Sequence, residues 1–182
     1  EEVTVSQVEE RLEEKMHKAI SMIQFKVEGQ AVLRHPEFNM DNRLLLDKID
    51  YENQCITIDG VTWPLEDTDF PTVDPADPYA LTPEEESVID QLTASFEQSE
   101  KLQRHIRFLY SKGSMYKCYN DNLLLHGCIP MAEDGSLLEF NFDGTTRSGK
   151  ALFDYCDVAA RQAYYYKRGS AERKLGMDFL WF

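Results

Sequence analysis

The most suggestive histidine in the sequence is His126, which ends the apolar run NLLLHG and is followed by Gly127. A strand end is a favourable place for a functional side chain, because the sheet fixes the backbone and the loop leaves the side chain free. Gly127 has no side chain, so another backbone or a ligand can come close. The residues alone leave two interpretations: a buried histidine with satisfied hydrogen bonds, or a ligand for a metal or substrate.

The remaining histidines and the nearby thiol are weaker candidates. His17 and His105 lie in predicted helices beside basic residues, which is typical of histidines on a helix surface. His35 lies in a predicted loop and suggests no role. Cys128 follows the His-Gly pair, and it is either a second ligand or a small buried apolar residue.

Short catalytic motifs are absent from the sequence. It contains no HExxH, Asp-x-His, Gly-Asn-His or Gly-His, and no GxSxG or Cys/His arrangement that suggests a nucleophile. A catalytic metal site usually needs three protein ligands, and none cluster around His126 in the sequence. The segment GTTRSGK, residues 144–150, has residues that could bind phosphate at the start of a helix. It lacks P-loop spacing, so the alternative to a phosphate-binding segment is a plain loop.

The composition indicates a folded, acidic protein. The 182 residues are 42% hydrophobic and carry a net charge of −14. Such a chain repels nucleic-acid phosphates and anionic membrane surfaces, so we expect neither as a partner. Four cysteines without a CxxC pair predict reduced thiols and a cytoplasmic protein. No apolar run approaches the roughly 20 residues of a membrane span, and no signal peptide is recognisable.

Hydrophobic periodicity predicts the elements of the first half. Apolar residues recur every three or four positions through the first 28 residues, which indicates an amphipathic helix with Gly29 just past its end. Residues 39–49 predict a short helix or turn. QCITIDGVTWPL, residues 54–65, reads as a hairpin with Asp59-Gly60 at its turn. Residues 59–100 contain 12 acidic residues and no Lys or Arg, and their proline-rich part predicts an extended, solvated loop.

A second long helix is predicted from Thr82, which forms a capping box with Glu85, to Gly113, although Ser99 interrupts its apolar stripe. Beyond it, the patterns predict two strands, SMYKCY and NLLLHG, that meet at Asn120-Asp121. They also predict a third strand over residues 136–142, a helix from Ser148 to about Tyr166, and a last helix after Gly169-Ser170.

Together these elements predict an α+β fold, in which long amphipathic helices and a β-hairpin precede a few strands. We expect a helical and hairpin region with an acidic loop over residues 1–112, and a part with strands then helices over residues 113–182. The chain starts without methionine and ends on the apolar MDFLWF, so we interpret it as a piece of a longer protein.

Two long segments carry a resemblance to a known family. HKAISMIQFKVEGQAVLRHPEFNMDNRLLLDKIDY and SEKLQRHIRFLYSKGSMYKCYNDNLLLHGCIPMAEDG, with the hairpin between them, resemble the class III fructose-1,6-bisphosphatases of Firmicutes and related anaerobes. The resemblance runs from about His17 to Gly149 and is weaker in the acidic loop and the last helices. That family is similar in turn to the calcineurin-like metallophosphoesterases, whose core is a two-sheet sandwich that holds two divalent metals.

The resemblance implies a partial metallophosphoesterase sandwich and one metal ligand in this chain. LLLHGCIP looks like the metallophosphoesterase strand that ends in His-Gly, so His126 is expected to bind a metal, manganese being usual in the family. Leu123, Leu124 and Leu125 are expected to fix it by burial in the sheet. The family's other ligand motifs are missing, which implies that this chain is an interior fragment.

The implied reaction of the whole protein is hydrolysis of the 1-phosphate of fructose 1,6-bisphosphate to fructose 6-phosphate, a gluconeogenic step. The substrate would be a small sugar bisphosphate, and the fragment alone is expected to be inactive. Two alternatives stay open: a non-catalytic interaction or regulatory module, and a degenerate phosphatase domain without metals. The sequence leaves the oligomeric state open.

Overall fold

A computed structural model describes residues 5–181, with side chains from residue 11 onward. The mixture of helices and short strands confirms the α+β class. The chain divides into two compact units, Glu1–Thr93 and Ala94–Phe182. None of the helices in the described range is both long enough and apolar enough to cross a membrane.

The first unit begins with one long helix and continues into a small antiparallel sheet. Its elements are α1 (Val5–Arg34), three short 3₁₀ turns (Pro36–Phe38, Asp41–Arg43 and Leu46–Lys48), β1 (Ile49–Asp50), β2 (Cys55–Ile58), β3 (Val61–Pro64) and the greater part of α2 (Pro83–Gln98). The strands lie in the order β1-β2-β3. The turns within residues 39–49 and the hairpin were both predicted correctly.

The hairpin turn follows the chemistry of its two residues. Asp59 and Gly60 have φ values of 51° and 78°, the left-handed pair that a two-residue turn between twisted strands requires. Ile58 therefore pairs directly with Val61.

Helix α1 is longer than predicted, because Gly29 lies inside it rather than past its end. The ring of Tyr79 packs against the bare Cα of Gly29, where a Cβ would overlap the ring atoms. The glycine thus serves close packing and not helix termination. A single sequence gives no sign of this, since the residue that needs the space lies 50 positions away.

The acidic loop is mostly exposed, as expected of the predicted solvated loop, but it is also anchored on α1. Between β3 and α2 the described residues form no helix or strand except an isolated bridge between Asp74 and Asp77. The Tyr79 side chain is nevertheless buried, and its hydroxyl donates to Asp47 Oδ1 at 2.6 Å. Gln30 Nε2 on α1 donates to the Tyr79 carbonyl at 2.7 Å.

A buried ion pair completes this docking. The Lys26 side chain on α1 is fully buried, with Nζ 2.7 Å from Glu85 Oε2 and 2.5 Å from the Thr72 carbonyl of the loop. Glu85 also accepts from the Thr82 N–H at 2.8 Å, and its own N–H donates to Thr82 Oγ1 at 3.3 Å. The predicted capping box is therefore confirmed, and one carboxylate both caps α2 and neutralises the buried lysine.

We expect acid to weaken the first unit through Glu85. Burial works to raise the pKa of this carboxyl, but hydrogen bonds from Lys26 and the Thr82 N–H outweigh it and hold the pKa below its ordinary 4.5. Because the folded-state pKa is the lower one, the stabilisation is present above about pH 4.5 and is lost as the pH falls through the folded-state pKa. We expect the free energy of unfolding in urea, measured between pH 3 and 6, to fall less steeply with acid in Glu85→Gln than in the wild-type chain.

The matched control for this pH series is Glu84→Gln, which changes an exposed carboxylate of the same helical turn. We expect the control to keep the acid slope of the wild-type chain. Equal slopes for both variants would show that Glu85 does not carry the pH dependence.

After the end of α2, the described residues of the second unit form three helices and two short hairpins. Its elements after the end of α2 are α3 (Glu100–Lys112), β4 (Tyr116–Tyr119), β5 (Asn122–Leu125), β6 (Phe140–Asn141), β7 (Thr146–Arg147), α4 (Gly149–Tyr165) and α5 (Ala171–Trp181). The helix predicted from Thr82 to Gly113 is thus two helices. Ser99 separates them, and its Oγ accepts from the Leu102 N–H as the N-cap of α3.

The strands of the second unit are shorter than predicted. Strands β4 and β5 pair as expected through Asn120 and Asp121, both with positive φ. The third predicted strand, residues 136–142, retains only β6, which pairs with β7, and an isolated bridge from Leu137 to Met131.

Helix α4 joins the second unit together. It begins after Ser148 as predicted, although the Ser148 side chain makes no capping hydrogen bond. Arg161 on α4 donates to the carbonyl of Tyr110, in the last turn of α3, and to that of Gly113, just past its end, and it pairs with Asp157. Such a cation at a helix C-terminus satisfies free carbonyls and the helix dipole together.

Candidate metal ligand and surrounding surfaces

His126 lies immediately after β5, at the end of the β4–β5 hairpin, where Leu125 pairs with Tyr116. Its side chain is exposed. The predicted position at a strand end is therefore confirmed, and the interpretation of a buried histidine does not hold. An exposed imidazole at the end of a short hairpin is accessible to a ligand.

The leucines before His126 are not buried as expected. Leu123 is 50% exposed and Leu124 54% exposed, and Leu125 is half-buried. The reason is that β4 and β5 form a sheet of only two strands. Apolar strand residues are buried only when a neighbouring layer covers them. Among the described residues, no such layer covers Leu123 or Leu124.

The two residues after His126 are also open to solvent. No atom of the described structure lies within 4 Å of the position that a Cβ on Gly127 would take. Cys128 is exposed, so its interpretation as a buried apolar residue is wrong. All four cysteines are free thiols, as predicted.

The other histidines have ordinary surroundings. His17 and His105 are exposed on helices, as predicted. His35, for which the sequence suggested no role, has Nδ1 2.9 Å from Glu37 Oε1 and stacks on Phe38 with ring centroids 5.0 Å apart. The hydrogen bond from His35 holds the pKa of the Glu37 carboxyl below its usual value.

The residues present do not by themselves make a metal site. Across the described part of the chain, no three His, Cys, Asp or Glu side chains are grouped so that they could hold a metal ion. One exposed imidazole falls short of the three protein ligands of a typical catalytic site. No catalytic step through a metal can therefore be derived from this chain.

The segment GTTRSGK runs through β7 into the start of α4, and its cations are already paired. The guanidinium of Arg147 binds the carboxylate of Asp143 at 2.7 and 3.0 Å and lies over the ring of Tyr155, 4.1 Å from its centroid. Lys150 pairs with Asp154 at 2.5 Å. These contacts favour a structural role for the segment over phosphate binding.

Sequence reasoning missed a basic and aromatic cleft in the second unit. It has a volume of about 720 Å³ and is lined by α3 and by the segment that joins α4 to α5: Gln103, Arg104, Arg107, Phe108, Ser111, Tyr164, Tyr165, Tyr166, Arg168 and Arg173. A faint signal was present in the run YYYKR and in the four-residue spacing of Gln103, Arg107 and Ser111. Neither signal shows that the two segments meet.

Comparison with known proteins identifies the family to which the chain belongs. A family model described as Firmicute fructose-1,6-bisphosphatase matches residues 1–182, and the chain belongs to this family. No solved structure matches it.

Curated relatives of the chain share one name, fructose-1,6-bisphosphatase class 3. The protein of Clostridium novyi (strain NT) is 55% identical over 178 residues, which is 98% of this chain and 27% of the relative. That of Clostridium tetani (strain Massachusetts / E88) is 54% identical over 92% of this chain and 25% of the relative, and that of Clostridioides difficile (strain 630) is 50% identical over 98% and 27%. The chain therefore spans about a quarter of the length of these relatives.

Proposed function

We propose that this chain is a segment of a class 3 fructose-1,6-bisphosphatase, and that the whole protein hydrolyses the 1-phosphate of fructose 1,6-bisphosphate to fructose 6-phosphate and phosphate in gluconeogenesis. The observation that carries the proposal is the 55% identity over 98% of the chain to a protein of that name. Since the chain corresponds to 27% of that relative, the active site is expected to include residues beyond it.

In this proposal His126 is one ligand of a divalent metal ion, most simply manganese, and the other ligands come from parts of the protein outside this chain. The exposed ring at the end of β5 and the open space at Gly127 support this role. A bound metal of this kind activates water and neutralises phosphoryl oxygens. His126 would contribute a neutral ring nitrogen, while its other N–H would need a hydrogen-bond acceptor to fix the ring.

The proposed parent core is a calcineurin-like sandwich in a cytoplasmic enzyme. The β4–β5 hairpin supports the sandwich, because its exposed Leu123 and Leu124 are apolar strand residues without a covering layer in the described structure. Strands from the rest of the protein would cover them. On this view residues 113–182 belong to the catalytic core, and residues 1–112 are a helical and hairpin addition.

We expect the isolated chain to have no phosphatase activity, because one imidazole cannot hold a catalytic metal. The measurement is phosphate release from fructose 1,6-bisphosphate with saturating manganese, with the chain carrying His126→Ala as the matched control. Metal-dependent release by the wild-type chain above this control would refute the proposal that the site is incomplete.

A binding role for the first unit is the second candidate, and one observation favours it. An open groove of about 670 Å³ between α1 and α2 is mostly apolar, with Met16 61% exposed and Leu92 41% exposed. The natural reading frame separates the candidates. Flanking Asp-x-His, Gly-Asn-His-Asp and Gly-His motifs would support the enzyme, whereas a frame without them would support an interaction module or a degenerate domain.

A further inference from the structure

The basic and aromatic cleft of the second unit has a charge opposite to that of the chain. Four arginines and three tyrosines line it, and no acidic residue does. The chain as a whole carries a net charge of −14. Arg168 and Arg173 already contact Glu97 and the Tyr164 carbonyl. Arg104 and Arg107 lie three residues apart on α3, so an anion between them is attracted by both.

One wall of the cleft is a row of polar side chains on α3. Gln103, Arg107 and Ser111 are spaced four residues apart and so share one face of the helix, with Arg104 beside them. The side chains of Arg104 and Arg107 are exposed. Neither makes an ion pair or a hydrogen bond with any residue that the structure describes. Their donors are therefore available to a ligand.

The opposite wall is a fixed aromatic surface. The ring of Tyr164 stacks on Tyr110 with centroids 4.1 Å apart and planes 8° apart, and Tyr165 meets Tyr164 edge-on at 5.0 Å. Arg173 donates to the Tyr164 carbonyl at 2.5 Å, which holds the end of α4 in place. Tyr165 is 67% exposed and Tyr166 44% exposed, so their ring surfaces remain open.

The arginine wall suits a phosphate group and the tyrosine wall suits a flat ring, so together they suit a ligand that carries both. Paired guanidinium groups bind the oxygens of a phosphate through several charged hydrogen bonds, and they do so better than a single ammonium group. Tyrosine faces stack on flat rings. Arg168, whose contact with Glu97 is an exposed one at 3.6 Å, can supply a third cation.

We propose that this cleft binds an organic phosphate that carries a flat ring, with Arg104 and Arg107 on the phosphate and Tyr165 and Tyr166 on the ring. The site goes beyond the hydrolysis proposed above, and its test does not depend on turnover. It requires only that the arginines and the tyrosines bind the two ends of one small molecule.

The test uses phenylphosphonate and methylphosphonate, which resist hydrolysis and differ only in the ring. Binding to the full-length protein is measured by calorimetry for the wild type, for Arg104→Gln with Arg107→Gln, and for Lys101→Gln with Lys112→Gln. The lysine pair is the matched control, since both residues are exposed on α3 and outside the cleft. We expect phenylphosphonate affinity to fall at least about tenfold in the arginine variant only.

The ring contribution has its own variant. Wild-type protein should bind phenylphosphonate about threefold or more tighter than methylphosphonate, and Tyr165→Leu should remove this preference without a change of charge. This variant also serves if the double arginine variant fails to fold, which its melting temperature will show. Equal affinity in the arginine and lysine variants, or equal affinity of the wild type for the two phosphonates, would overturn the proposal.

Discussion

Replacing His126 by alanine in the full-length protein is expected to lower the turnover of fructose 1,6-bisphosphate at least about 100-fold, by analogy with losses from changes around metal sites. The physical reason is that an exposed imidazole at a strand end contributes little to the stability of the fold, so the substitution is expected to affect activity and not folding. The His126 side chain is exposed, so its replacement by alanine opens no cavity in the described structure. Turnover is measured as phosphate release at saturating manganese.

The control for this experiment is His105→Ala, which removes another exposed histidine of the second unit from the surface of α3. It should leave turnover near the wild-type value. Manganese content, measured on the purified variants, should fall in His126→Ala and not in the control. Near wild-type turnover of His126→Ala would show that His126 is not a metal ligand.

The second large effect is expected at Lys26, where methionine should lower the free energy of unfolding by about 3–5 kcal/mol. Methionine fills a similar volume and favours helices equally well, so packing and propensity change little. What changes is that the Glu85 carboxylate stays buried without its cation, and the Thr72 carbonyl loses its donor. The measurement is urea unfolding of the chain at pH 7.

Lys18→Met is the matched control for Lys26→Met. Lys18 lies on the same helix and also pairs with an acid of the loop, Asp67, at 2.6 Å, but both partners are substantially exposed. Exposed pairs contribute about 0–1 kcal/mol. Equal losses in the two variants would contradict the claim that burial makes the Lys26 pair the main anchor of the loop.

Features set by neighbouring residues were predictable from the sequence. The Asp59-Gly60 and Asn120-Asp121 turns, the Thr82–Glu85 capping box and the position of His126 after a strand all depend on residues a few positions apart. The interactions that form these features join residues close in sequence, so a single sequence is enough to predict them. The same is true of the α+β class, which follows from periodicity alone.

Features set by distant residues were not predictable. Gly29 was taken for a helix stop because nothing nearby shows that the Tyr79 ring needs its space. Lys26 lies three residues after Ile23 and is buried, but nothing near it in the sequence shows that its partner is Glu85, 59 positions away.

For the candidate site, the missing information lies outside the chain. The family resemblance implied that Leu123 and Leu124 are buried in the sheet, yet the two-stranded sheet of the described structure does not cover them. Likewise His126 lies exposed after a strand, and no group of three possible metal ligands occurs among the described residues. The sequence pattern shows that a strand has apolar residues to bury. Whether they are buried depends on the neighbouring layers of the structure.

The docked acidic loop has a practical consequence for digestion experiments. The sequence contains no lysine or arginine between Lys48 and Lys101. Trypsin therefore leaves this entire stretch in one peptide. Its cleavage pattern is the same whether the loop is docked on α1 or detached from it. A protease that cuts beside acidic residues finds sites throughout the loop. Its cleavage rate reports how often the anchors at Lys26 and Tyr79 open.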